Sequence, residues 1–79
     1  SIEFYDFAES SIALNIEYHK RTLYLDFKAS IGFANDLFDK CPVKQNTFTK
    51  YVEAYAALKG YKYESRRSDG SDYFRLRDR

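Results

Sequence analysis

The chain has 79 residues, a net charge of +1, fifteen aromatic residues (eight Tyr, seven Phe), one cysteine, one histidine and no methionine. That length holds one small domain, whose core alone supplies no more than roughly 3–5 kcal/mol. A single cysteine excludes a disulfide framework, and one histidine with one cysteine excludes a tetrahedral metal site. No run approaches the roughly 18 apolar residues of a membrane span, and nothing resembles a signal peptide. A lone thiol suits a reducing, cytoplasmic compartment. With no initiating methionine, residues 1–79 are expected to be a single domain excised from a longer protein.

The elements are expected in the order helices first, strands last. Ser1 is a candidate cap for a helix from Ile2, with Glu3 in its first turn. Phe4, Phe7, Ala8, Ser11 and Ile12 recur at helical spacing, and this helix is expected to end near Leu14 or Asn15. Residues 16–22 read as a loop with two or three extended residues. Thr22 is a candidate N-cap for a second helix with an apolar stripe of Leu23, Tyr24, Phe27, Ile31, Ala34 and Phe38. Gly32 costs that helix about 1 kcal/mol relative to Ala, so a bend or break is expected there, with 32–38 as a separate turn or short helix. Pro42 then stops the segment. A third helix is expected from 44–46 to Lys59. Its stripe is Phe48, Tyr51, Val52, Tyr55 and Leu58, its propensity is raised by Ala54, Ala56 and Ala57, and it ends at Gly60. Beyond Gly60 the period becomes two, and Ser68-Asp69-Gly70-Ser71 carries hairpin-turn chemistry. The return strand over 73–77 is expected to turn Phe74 and Leu76 one way and Tyr73, Arg75 and Arg77 the other.

This order predicts an α+β fold of the winged helix-turn-helix kind: three helices followed by a C-terminal β-hairpin wing. In such an arrangement one helix braces while the next enters the major groove. Charge is unevenly spread. Residues 1–39 hold seven acids and three bases, while residues 40–79 hold ten bases and five acids. The third helix offers Gln45, Asn46, Thr49 and Lys50, residue types that read base edges or reach phosphate. Lys44, Lys50, Arg66, Arg67 and Arg75 are the candidate phosphate contacts. Tyr61, Tyr63 and Tyr73, beside the hairpin arginines, are candidates for base stacking or an interface.

The pattern Leu23-Tyr24-x-x-Phe27, then Pro42-Val43-Lys44, Phe48-x-x-Tyr51, Gly60-Tyr61 and a basic hairpin resembles the C-terminal winged-helix domain of phage and mobile-element primase-helicases. These domains are attached to superfamily 3 or virulence-associated-E-type ATPase modules. The resemblance spans roughly residues 1–77 and departs from the family at 32–39, which looks longer than the usual connection. It implies an accessory DNA-binding domain of a replication protein, with DNA, duplex or single-stranded, as partner. The ATPase or primase domains would lie upstream in the same chain, since no phosphate-binding loop is present here.

Catalysis within this chain is not expected. His19 beside Lys20 and Arg21 reads as a solvated loop residue, Cys41 before Pro42 as a small half-buried one, and Glu3, Asp6 and Glu9 as a wet helix face. No cofactor is implied. The alternative function is a winged-helix protein-interaction module that binds no nucleic acid. The modest charge and a pI near 7.8 favour it, with the acidic first helix as the contact surface.

Overall fold

A computed structural model describes residues 2–79. Among them are three helices and one antiparallel sheet, in the order α1 (Ile2–Ser11), β1 (Glu17–His19), α2 (Lys20–Ser30), α3 (Gln45–Lys59), β2 (Lys62–Ser68) and β3 (Ser71–Arg77). The protein is therefore α+β. A strand stands between the first two helices, so the sheet has three strands, in the order β1-β3-β2. The expected cap at Ser1 lies outside the described residues.

α1 stops at Ser11, a turn earlier than its apolar spacing suggests. Ile12 still donates to the Ala8 carbonyl, but Ala13 N–H donates to the Tyr18 hydroxyl at 2.8 Å. Asn15, with φ 65°, then donates to the Leu76 carbonyl at 2.7 Å and turns the chain onto the sheet. Tertiary bonds thus take the amides that a longer helix would have used.

α2 starts at Lys20, before the expected cap at Thr22. His19 is the N-cap, and its Nδ1 accepts from Thr22 N–H at 3.2 Å. An imidazole nitrogen does here what a serine or aspartate oxygen usually does. The other end is set by Gly32. Phe33 N–H reaches back to the Lys28 carbonyl and Gly32 N–H to that of Ala29, while Gly32 holds φ 93°. This is a Schellman end, so the helix is not continuous through Gly32. Ala34 and Phe38 consequently leave the predicted stripe, and Phe38 is 80% exposed. Residues 31–44 form turns rather than a further helix.

α3 and the hairpin follow the expected outline. α3 ends in the same double bond pattern, from Gly60 N–H to Ala57 O and Tyr61 N–H to Ala56 O. Phe48, Val52, Tyr55 and Ala56 are buried, whereas Leu58 faces solvent. β2 and β3 pair from Lys62↔Arg77 to Ser68↔Ser71. They are joined by Asp69 and Gly70, both at positive φ, which is a type I′ turn.

The three helices meet in an aromatic cluster. Phe48 lies 5.6 Å from Phe4, 5.5 Å from Phe27 and 5.6 Å from Tyr24, ring centre to ring centre. Tilted and edge-on pairs of this kind add about 0.5–1.5 kcal/mol each beyond area burial. The sheet closes the other side with Phe74 and Leu76, and Tyr18 and Tyr63 stack on either flank of Phe74. No helix of the described residues is long and apolar enough to cross a membrane.

Candidate nucleic-acid interface

The expected contacts fall into two groups that the fold treats differently. The first is at the start of α3. Gln45 and Thr49 are half-buried, Asn46 and Lys50 exposed. Asn46 and Lys50 are four residues apart and share one helix face. Thr49 Oγ1 donates to the Gln45 carbonyl at 3.2 Å, so its hydroxyl is turned into the helix. Gln45 Oε1 accepts from Arg21 Nη1 at 3.0 Å, which leaves the Gln45 amide N–H groups to donate outward. Lys44 precedes the helix, and its ammonium is tied down. Nζ donates to the Asp39 carbonyl at 2.7 Å and pairs with Asp39 Oδ1 at 3.0 Å. That hydrogen bond to Asp39 holds the Lys44 pKa above the ordinary lysine value.

The second group lies on the hairpin, and there every predicted arginine has an internal partner. Arg66 forms a two-pronged contact with Glu17, both bonds at 2.6 Å, and lies over the Tyr73 ring at 4.5 Å. β1 and β2 are separated by β3, a span of about 9.6 Å for two strand spacings, so the Arg66 side chain reaches across β3, over the Tyr73 ring. Arg66 depresses the Glu17 pKa and its own is raised in return. Arg67 pairs with Asp72 at 3.1 Å. Arg75 and Arg77 share Glu64, each at 3.7 Å, and Lys62 lies 3.5 Å from the same carboxylate.

The three hairpin tyrosines are similarly engaged. Tyr63 faces inward against Phe74, with the Lys20 ammonium 5.6 Å above its ring. Tyr61 packs edge-on to Tyr55. Tyr73 lies beneath Arg66, with His19 edge-on at 5.2 Å. Each of the three thus has a ring or cation partner within the fold.

Two bases that the sequence reading passed over join the first group. Lys20 and Arg21 open α2, and neither has a carboxylate within 4.0 Å among the described residues, nor does Lys50. Arg21 reaches the first turn of α3 through Gln45. The signal was present as a basic pair just ahead of an apolar helical run, but it falls in the acidic half of the chain. The result is a corner where two helix N-termini, Arg21, Gln45 and Asn46 meet, with Lys50 one turn further along. No group of three or more His, Cys, Asp or Glu is placed to hold a metal ion among the described residues. Compared with known proteins, the chain matches no family model, no curated protein and no solved structure.

Proposed function

We propose that this chain is a winged-helix domain that binds DNA through the paired starts of α2 and α3, as an accessory part of a replication protein of the primase-helicase type. The order helix, strand, helix, helix, hairpin, with the first strand pairing the last, supports the winged-helix assignment. The observation that carries the DNA reading is the Arg21–Gln45 bond, which holds an unneutralised guanidinium at the entrance of the helix that also carries Asn46 and Lys50. Phosphate is drawn to bases at helix N-termini, where unpaired N–H groups and the helix dipole add to the charge. Asn46 is suited to the N6/N7 edge of adenine, and Lys50 to guanine or a phosphate. Lys44, Arg66, Arg67 and Arg75 are secondary contacts in this reading, reached only by exchanging a carboxylate for a phosphate. Upstream ATPase or primase domains of the same chain would supply the chemistry.

The test is an NMR titration of the labelled domain with a short duplex and a single strand at two salt concentrations. Shifts are expected at Lys20, Arg21, Asn46 and Lys50, fading as salt rises. If neither nucleic acid moves any resonance at low salt, the DNA reading falls. The second reading is a protein-interaction module. It is favoured by the internal pairing of the hairpin arginines and by the exposed pair Leu37 and Phe38, 87% and 80% accessible.

A further inference from the structure

The outer face of α3 is one narrow strip. Asn46, Lys50, Glu53 and Ala57 follow one another at spacings of four, three and four, and all four are exposed. Phe48, Val52 and Tyr55 are buried on the opposite side of the helix. Two polar side chains that flank the strip are already engaged. Gln45 accepts from Arg21, and the Thr49 hydroxyl donates to the Gln45 carbonyl. Glu53 is not tied down in this way. Among the described residues no base lies within 4.0 Å of its carboxylate, and Lys50, one turn before it, does not pair with it.

An unpaired carboxylate on this strip works against general binding of phosphate. The major groove is about 12 Å wide, so a side chain on its midline lies within the screening length of about 8 Å of both backbones. Only a hydrogen bond to a base edge offsets that repulsion, and an ionised carboxylate can only accept. Guanine N7 and O6 and thymine O4 are acceptors and offer it nothing. The adenine N6 amino group is flanked by acceptors on both sides, N7 of its own ring and O4 of the paired thymine. The cytosine N4 amino group has an acceptor on one side only, the O6 of its paired guanine. Cytosine is therefore the base that a carboxylate at this position tolerates best.

We propose that Glu53 is a specificity-determining residue, accepting from a cytosine N4 amino group in the major groove of duplex DNA. The inference rests on the DNA-binding reading of α3. Glu53 is seven residues beyond Asn46, about 10.5 Å along the helix axis. That matches about three base-pair steps of about 3.4 Å each. With α3 lying along the groove, the adenine suited to Asn46 and the cytosine suited to Glu53 stand about three base pairs apart.

Selection from a randomised duplex library tests it, using the unaltered chain, Glu53→Gln and Glu53→Ala, with circular dichroism as the check of fold. The unaltered chain is expected to enrich a C·G pair about three positions from an A·T pair. Replacing that C·G by T·A in a selected duplex should weaken binding about fivefold or more, read by fluorescence anisotropy. Glu53→Ala should lose the cytosine preference, keep the adenine preference and bind unselected duplex more tightly. The proposal is overturned if the cytosine preference survives both substitutions, or if the unaltered chain binds duplex without enriching cytosine there. Either result leaves the DNA-binding reading in place. A chain that binds no duplex at low salt overturns both.

Discussion

If the chain binds DNA as proposed, the salt dependence of that binding should separate the two groups of bases. Each phosphate neutralised releases counterions and contributes about 0.9 to the slope of log affinity against log salt on duplex DNA. Lys20, Arg21 and Lys50, with no carboxylate partner, supply three such contacts, so the slope expected from them is about −2.7. Between 50 and 200 mM salt that slope alone lowers affinity by about 40-fold. Replacing all three by Ala should remove nearly all of it. Arg66→Ala with Arg67→Ala should change the slope by less than about 1, because Glu17 and Asp72 already occupy those guanidinium groups. Glu17→Gln should act in the opposite direction and steepen the slope by up to about 0.9, since it frees Arg66 for a phosphate. Fluorescence anisotropy of a labelled duplex over a salt series reads all four. The reasoning is refuted if the Arg66 and Arg67 pair of changes removes as much slope as the Lys20, Arg21 and Lys50 set.

Three further outcomes concern the scaffold. Phe48→Ala removes a ring that is 1% exposed and touches four other rings. The cost is about 3–5 kcal/mol, as large as the stability expected for so small a core, so urea melts should find the variant largely unfolded without denaturant. Gly60→Ala places a Cβ at φ 74° with open space around it. Only the backbone conformation is penalised, by about 1–2 kcal/mol, which lowers the melting temperature by several degrees. Acid should destabilise the fold through Glu9, Glu17 and Asp36, whose pKa values all lie below the ordinary 4.5 for Glu and 3.8 for Asp. The Tyr55 hydroxyl is the main cause at Glu9 and Arg66 at Glu17. At Asp36, burial pushes upward but is outweighed by the bonds from Cys41, Lys40 and Lys28. Carboxylates depressed on folding contribute stability that is complete above these ordinary values and lost as pH falls through the folded ones. A thermal melt series between pH 6 and 2, read at about one-unit steps, should show the fall only below pH 4.5.

Local signals in the sequence located most of the elements. The α3 stripe, the glycine after it and Asp69-Gly70 are short-range chemistry, and each acts within a few residues. The misplaced boundaries have two causes, one tertiary and one local. Ala13 gives its N–H to Tyr18, Asn15 to Leu76, and the α2 cap comes from a histidine rather than a hydroxyl. The first two partners become visible only when β1 has joined the sheet, whereas the histidine cap is local, to Thr22 three residues on, and is of a residue type that capping preferences do not single out. The candidate site was legible to the same extent. Gln45, Asn46 and Lys50 could be read as a polar helix face, but residue type alone could not tell that Arg66 was committed. Glu17 and Arg66 are 49 residues apart and meet only because β3 pairs with both neighbours in one register. Arg21 was hidden for the complementary reason. Its partner Gln45 lies across the connection from α2 to α3, 24 residues on.

The register that commits the hairpin arginines also bears on how a net charge of +1 can serve a polyanion. Every hairpin pair is at the surface, Arg66 and Glu17 being 53% and 35% exposed. Exposed pairs are worth about 0–1 kcal/mol, so exchanging Glu17 for a phosphate would alter the free energy little in either direction. The exchange also leaves the number of neutralised charges unchanged: a phosphate contact is gained and a carboxylate is released to solvent. Affinity therefore has to come from cations that begin unpaired, and these stand at the start of α2 and on α3. In the proposed complex the hairpin would still fix orientation, because Arg66 over Tyr73 and Arg67 beside the turn are preorganised points that only a correctly placed backbone could reach. If the chain binds DNA as proposed, the helices would set how tightly DNA is held and the hairpin how it lies.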